Sequence, residues 1–393
     1  MQRIEVAERR ARLAVRHHLA PTALADSPVE AAGDMVGLHS TDPASVYLAA
    51  LARTRALDVA TMVRVLYDER TLLRLLGMRR TMFVVPLDLA AIILSACTRE
   101  IGQRERRRVL GFFEEARVAP DPEAWLSQLE EATLAALGTL DSATATELTR
   151  EVPGLAKQIR VGIGKRWEGT IGVSTRILFL LAAEGRILRG RPRGSWISSQ
   201  YRWARLDRWI PAGLADWETG AARSELVRRW LATFGPGTIA DLKWWSGWSL
   251  GQVRQALAAV DHTEVDLDGV TGIMLQHDLE PTPIPGPWVA LLPALDSTVM
   301  GWTERRWYLG EHGPALFDTN GNAGPTVWSD GRVVGGWVHH RDGRIAVRLL
   351  EDIGREATEA VDQRAAEIGS WLGTVRVTPR FRTPLEQELL ASG

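Results

Sequence analysis

The chain has 393 residues, 45% hydrophobic and 24% charged, with a formal net charge of −1 and a single cysteine. That length exceeds one ordinary core, and one thiol at Cys97 can make neither an internal disulfide nor a thiolate zinc centre. No apolar run approaches the roughly 18 to 20 residues of a membrane span, and the charged start MQRIEVAERR offers no signal region, so a cytoplasmic protein is expected. The near-zero net charge argues against a uniformly basic nucleic-acid binder. Lysine occurs only at 157, 165 and 243, which leaves 44 of the 47 basic residues (47 minus 3) as arginine, the better phosphate fork. A GC-rich genome produces the same bias, so the placement of the arginines has to decide between the two explanations.

Residues 3–20 carry an imperfect helical stripe of apolar side chains. A further helix begins near Asp58 and runs toward a short extended stretch, RTMFVVP, which Pro86 closes. The plan repeats: EAWLSQLEEATLAALGTL reads as a helix, SATATELTREVP as a short helix ended by Pro153, and GVSTRILFLLAAEGRIL as a longer one ended by Gly185. A hairpin follows around GRPRG, its tip carrying Arg189, Arg191 and Arg193, and a wing thrust into solvent with these guanidinium groups suits phosphate contact. A third unit contains GPGTIADLKWWSG and SLGQVRQAL, the second opened by a serine fit for N-capping. Trp244, Trp245 and Trp248 could stack on bases, but their helical spacing favours anchoring to neighbouring elements. From Pro287 onward short apolar runs alternate with Asn-Gly, Asp-Gly and Gly-Gly turns, the pattern of an antiparallel barrel or sandwich. A helix near 355–372 and a strand TVRVTPRF are expected to seal it.

The expected fold class is therefore α+β: three tandem winged-helix (helix-turn-helix) domains at 1–118, 119–212 and 213–285, then an antiparallel β-barrel-like domain at 286–393. The RDGR turn, with Arg341 and Arg344, offers a second set of phosphate contacts. His339 and His340 precede it, but neighbours on a strand point to opposite faces and do not form a metal pair. Neither a metal nor a cofactor is expected.

The phrases VGLHSTDP, LYDERTLLRLLGMRRTMFVVP, LLPALDSTVMGWTERRWYLG and LFDTNGNAGPTVWSDGRVVGGW span most of the chain. Together they resemble the AlkZ-type DNA glycosylases, a bacterial winged-helix family that includes the YcaQ proteins. The resemblance implies removal of N-alkylated purines or bulky genotoxin adducts from double-stranded DNA by a monomer, with self-resistance to a DNA-alkylating natural product as one role. Where the family carries Gln-apolar-Gln or Gln-apolar-Asp, this chain has His39, Ser40 and Thr41. The resemblance thus places His39 and Thr41 at the catalytic positions and Ser40 at the packed one between them.

From its own chemistry, Asp42 before Pro43 reads as an N-cap followed by a first helical residue, with direct participation in catalysis as the other reading. An imidazole of ordinary pKa, about 6.5, could take a proton from the attacking water while the Thr41 hydroxyl orients it. His39, Thr41 and Asp42 are the catalytic candidates. Two other functions remain open on the residues alone: a catalytically silent DNA- or adduct-binding protein, because both glutamines are replaced, and a winged-helix transcription regulator.

Overall fold

A computed structural model of the chain describes residues 1–391. One order of elements occurs three times: a helix, a short strand, two helices, then two longer strands. In the first unit these are Pro28–Asp34, Leu38–His39, Pro43–Leu51, Val59–Val63, Leu72–Leu76 and Met82–Pro86. In the second they are Pro122–Leu140, Ser142–Ala143, Ala145–Glu151, Val173–Ala183, Ile187–Pro192 and Tyr201–Arg205. The third has Thr219–Phe234, a single bridge at Gly237, Ile239–Ser246, Leu250–Leu257, His262–Leu267 and Val270–Leu275. In each sheet the last strand lies in the middle, with the short strand on one side and the longer partner on the other. The amino-terminal strand Gln2–Arg3 joins the third sheet, pairing in parallel with His262–Leu267.

Helix starts follow local chemistry. Ser27, Asp42, Asp58, Asp121, Thr144, Thr238 and Ser249 each accept a backbone N–H of the first turn, satisfying donors the helix cannot pair itself. The Val59–Val63 helix runs on through one π turn, Arg64–Asp68.

The hairpin of the second unit differs from its sequence reading. Its first strand continues through Arg191 to Pro192, and the connection is residues 193–200 rather than GRPRG. Pro192 is tolerated because this is an edge strand, with the register shifting between Arg189 and Pro192. An antiparallel pair, Gln158–Val161 with Gly169–Gly172, is inserted between two helices of the same unit and had no clear signal in the sequence.

The carboxy-terminal part is an open antiparallel meander, Val289–Leu292, Thr326–Ser329, Arg332–His339 and Ile345–Leu349 in chain order. No closed barrel forms among the described residues, because the two outer strands do not pair with each other. The Arg355–Leu372 helix buries Val361, Ala365, Ile368 and Leu372 against the sheet instead. Residues 374–381, expected as a strand, form none, and a helix follows at Pro384–Ala391. No described helix is long and apolar enough to cross a membrane.

One core runs through the first unit, the third unit and the meander, whereas the second unit has a core of its own around Phe113, Leu137 and Ile177. Between the first unit and the meander this apolar packing also encloses a polar contact. Arg53 and Asp296, 0% and 1% exposed, form a two-pronged ion pair at 2.6 and 3.0 Å. Arg53 also donates to the Ala49 carbonyl and Thr298 Oγ1. The Trp cluster behaves as anchors: Trp245 and Trp248 are buried, and Trp244 lies between the guanidinium groups of Arg79 and Arg305 at 3.8 and 4.7 Å.

Candidate active site

The segment 37–43 is held from three sides. Gly37 adopts φ +107°, where a side chain would be strained and a Cβ would stand 2.9 Å from Val85 Cγ1. Its carbonyl accepts the Ser297 hydroxyl at 2.8 Å, and Ser45 donates to the Ala294 carbonyl at 2.9 Å. The LLPALDSTVMGW phrase therefore braces this turn as well as supplying Asp296. Leu38 and His39 pair with Val84 and Phe83 of the central strand, and the Ser40 amide donates to the Met82 carbonyl at 2.7 Å.

His39 is 4% exposed, and its ring meets Phe83 edge-on at 5.4 Å. Nδ1 is buried without a hydrogen-bond partner among the described residues. Burial, reinforced by the positive charge of Arg79, pulls its pKa down to about 3. The imidazole is therefore neutral at every physiological pH, and the ordinary value assumed for it as a proton acceptor does not apply. A base this weak can hold a water by hydrogen bonding but has little drive to take its proton.

Ser40 and Asp42 face a different neighbourhood. Arg74, 3% exposed, donates from Nη1 to the Ser40 hydroxyl and, at 3.3 Å, to the Ser40 carbonyl. Its guanidinium lies over the Tyr201 ring at 4.7 Å, and its Nε is buried without a partner. Asp42 caps the Pro43–Leu51 helix by accepting the Ala44 amide at 3.1 Å. Burial lifts its carboxyl above the usual carboxylate range, opposed by the Ala44 and Arg380 amides and by the charges of Arg380 and Arg74. The N-cap reading of Asp42 holds, and the raised pKa makes it a better base than an exposed aspartate. Thr41, between these two environments, is half-buried. The Tyr201 hydroxyl is buried without a hydrogen-bond partner among the described residues.

The five arginines expected on DNA divide. Arg189 is not a solvated wing tip: it is half-buried over Tyr201 and Trp203, at 5.7 and 5.3 Å, and burial with repulsion from Arg74 lowers its pKa. Arg191 is exposed but ion-paired with Asp68 at 2.6 Å. Arg193 is exposed. The hairpin's connection reaches across to the first unit and to the Arg355–Leu372 helix, with Trp196 against Tyr47 at 4.5 Å and Trp371 at 5.8 Å. Arg341 and Arg344 are exposed on a separate hairpin turn, where the Arg341 carbonyl accepts from Arg376. His339 accepts the Val377 amide through Nδ1 at 3.2 Å.

Arg74, Tyr201 and Arg380 had not been singled out. The readable signal was Arg74 itself, one arginine among leucines in LLRLL of a buried strand. Arg380 and Tyr201 reach the site only through tertiary structure.

A family model described as DNA glycosylase AlkZ-like matches residues 32–371, a span that includes the whole 37–43 turn and the bracing phrase. The chain belongs to the AlkZ-like DNA glycosylase family. Among solved structures, a Streptomyces sahachiroi DNA glycosylase AlkZ is similar at a TM-score of 0.71 and 22% identity, covering 96% of this chain and 100% of that one. That likeness extends the family's α+β fold over nearly the full length. No curated protein sequence matches the chain.

Proposed function

We propose that the protein is a monofunctional DNA glycosylase that hydrolyses the N-glycosidic bond of N7-alkylated or bulky adducted purines in duplex DNA. The observation that carries this reading is the family match whose span, residues 32–371, includes the turn that holds His39, Thr41 and Asp42. The three repeated units are read as winged helices forming a DNA platform, with Arg193, Arg191, Arg341 and Arg344 as phosphate contacts. Self-resistance to a DNA-alkylating natural product is the role such an activity would serve.

The chemistry asks little of the protein. Alkylation at N7 makes the purine cationic, so it leaves as a neutral base with the electron pair of the glycosidic bond and needs no acid. The enzyme has to hold a water beneath C1′ and stabilise an oxocarbenium-like sugar. In this proposal the water sits at Thr41, between the two neighbourhoods: the Thr41 hydroxyl orients it, neutral His39 holds it from one side, and Asp42 takes its proton from the other as the C1′–O bond forms. The Asp42 carboxylate also supplies negative potential near the sugar cation, against the positive end of its own helix. A large adduct favours attack on the sugar bond without full extrusion of the base.

Burial of a neutral His39 in place of the family's glutamine also favours a second reading, a silent relative that binds DNA without excising. Incubating the protein with a duplex carrying one 7-methylguanine, and separately with a bulky N7 adduct, separates the two. The glycosylase reading expects free modified base in solution; a silent relative retains the duplex and releases none.

A further inference from the structure

A cavity of about 310 Å³ lies between the first and second units, and the excision chemistry does not use it. It opens beside two edge strands, Leu72–Leu76 and Ile187–Pro192, that belong to different sheets. Leu73, Leu75, Leu178, Phe179, Leu188 and Trp203 make its walls apolar. Three arginines also line it: Arg74, Arg80 and Arg189.

Arg80 is accounted for, ion-paired with Glu105 at 3.0 Å and laid over Phe179. The other two are not. Arg74 is 3% exposed and bonds only to neutral Ser40 oxygens, and Arg189 has only the faces of Tyr201 and Trp203. Neither forms a direct ion pair with a described residue: Arg74 has only the longer-range charge of Asp42, and both stand in low-dielectric surroundings where a charge without a contact partner is costly. Among the described residues Arg74 Nε is buried without a hydrogen-bond partner. Holding the units together would explain the ring stacking, but it would not explain two guanidinium groups without a direct ion pair, one with an unused Nε donor, at the edge of an apolar chamber.

We propose that this cavity binds a small molecule with a flat, apolar ring body and one acidic group, the body between Leu73, Leu178 and Trp203 and the anion on Arg74 and Arg189. Its volume is within the range of small-molecule sites, roughly 300 to 1,000 Å³. The same chemistry could arrive as a free compound or as the non-nucleotide part of an adducted purine. The proposal depends on neither excision nor DNA binding, so its failure is distinct from theirs.

The probe is 8-anilinonaphthalene-1-sulfonate, an aromatic anion that brightens in apolar surroundings, paired with its uncharged relative N-phenyl-1-naphthylamine. Calorimetry and fluorescence on the full-length protein should show one saturable site. Arg189→Met keeps the apolar stem and removes the charge. It should weaken the sulfonate by about tenfold or more, the worth of one charge-assisted contact, while the uncharged probe changes by less than about threefold. Leu75→Trp, at a half-buried wall position, should weaken both probes about tenfold by filling the chamber. Unfolding midpoints of each variant establish that it is folded, and the Arg189→Met comparison stands alone if Leu75→Trp does not fold. Absence of saturable binding below about 0.1 mM, or equal weakening of both probes by Arg189→Met, overturns the site. Saturating undamaged duplex then identifies the source: displacement of the sulfonate indicates a chamber reached from bound DNA, and retention indicates a free compound.

Discussion

Replacing His39 by glutamine should make the protein less sensitive to acid. In the unfolded chain a histidine titrates near about 6.5, whereas burial beside Arg79 holds folded His39 at about 3. Between these values the unfolded state binds a proton that the native state does not, so stability is complete above the unfolded pKa and falls as pH drops. At about pH 5 the loss is RT ln(1 + 10^1.5), about 2 kcal/mol, and it levels off at about 5 kcal/mol once the native imidazole also protonates. His17, fully buried and also shifted well below its ordinary value, titrates in both proteins and cancels in the comparison. Urea unfolding of native protein and His39→Gln at about pH 5 and about pH 7.5 measures the difference. The pH-dependent loss should be about 2 kcal/mol smaller in the variant. Histidine side-chain NMR should show no His39 inflection between about pH 5 and 8. Equal acid sensitivity of the two proteins, or a His39 inflection near 6.5, would refute the buried neutral imidazole and with it the assignment of His39 as a water holder rather than a base.

Other outcomes follow from the same geometry. His39→Ala should lower single-turnover excision by about 10² to 10³, the usual cost of losing a positioned hydrogen-bonding group, while His39→Gln retains most of it; parental rates in His39→Ala remove the residue from the chemistry. Asp42→Asn should unfold within about 0.5 kcal/mol of the native protein because asparagine caps equally well, yet excise at least about 10² more slowly if the carboxylate takes the proton. Arg53→Met strands a carboxylate that is 1% exposed, and urea unfolding should register about 3 to 5 kcal/mol of destabilisation. The double variant Arg191→Ala, Arg193→Ala should reduce the slope of log affinity against log salt by about 1 to 2, equally on damaged and undamaged duplex, and an unchanged slope takes this hairpin off the DNA.

Local chemistry carried much of what the chain disclosed. Asp42 before Pro43, Ser249 before its short helix and Gly185 after the Val173–Ala183 helix mark their boundaries because caps and left-handed residues act within a few positions. The GRPRG turn misled for the opposite reason. Proline and glycine usually punctuate, but Pro192 lies on a sheet edge where its missing N–H costs nothing, and Gly190 packs against Trp209. The barrel expectation failed because turn-rich alternation specifies antiparallel strands and cannot say whether the outer two meet. Around the candidate site, the turn itself was visible in HSTDP, but the environment that decides its chemistry was not. His39 owes its lowered pKa to Phe83 and Arg79, and Asp42 its balance to Arg380, some 340 residues away (380 minus 42 is 338). Pairings of that separation leave no trace in spacing or composition.

The central claim, excision by this chain, is tested most directly by single-turnover incubation of excess protein with an end-labelled duplex containing one N7-alkylguanine. The account predicts release of the intact modified base, seen by mass spectrometry, and a strand that stays whole until hot alkali cleaves it at the vacated sugar. A duplex that is fully bound at the same protein concentration, with no free base and no alkali-labile site, would contradict it.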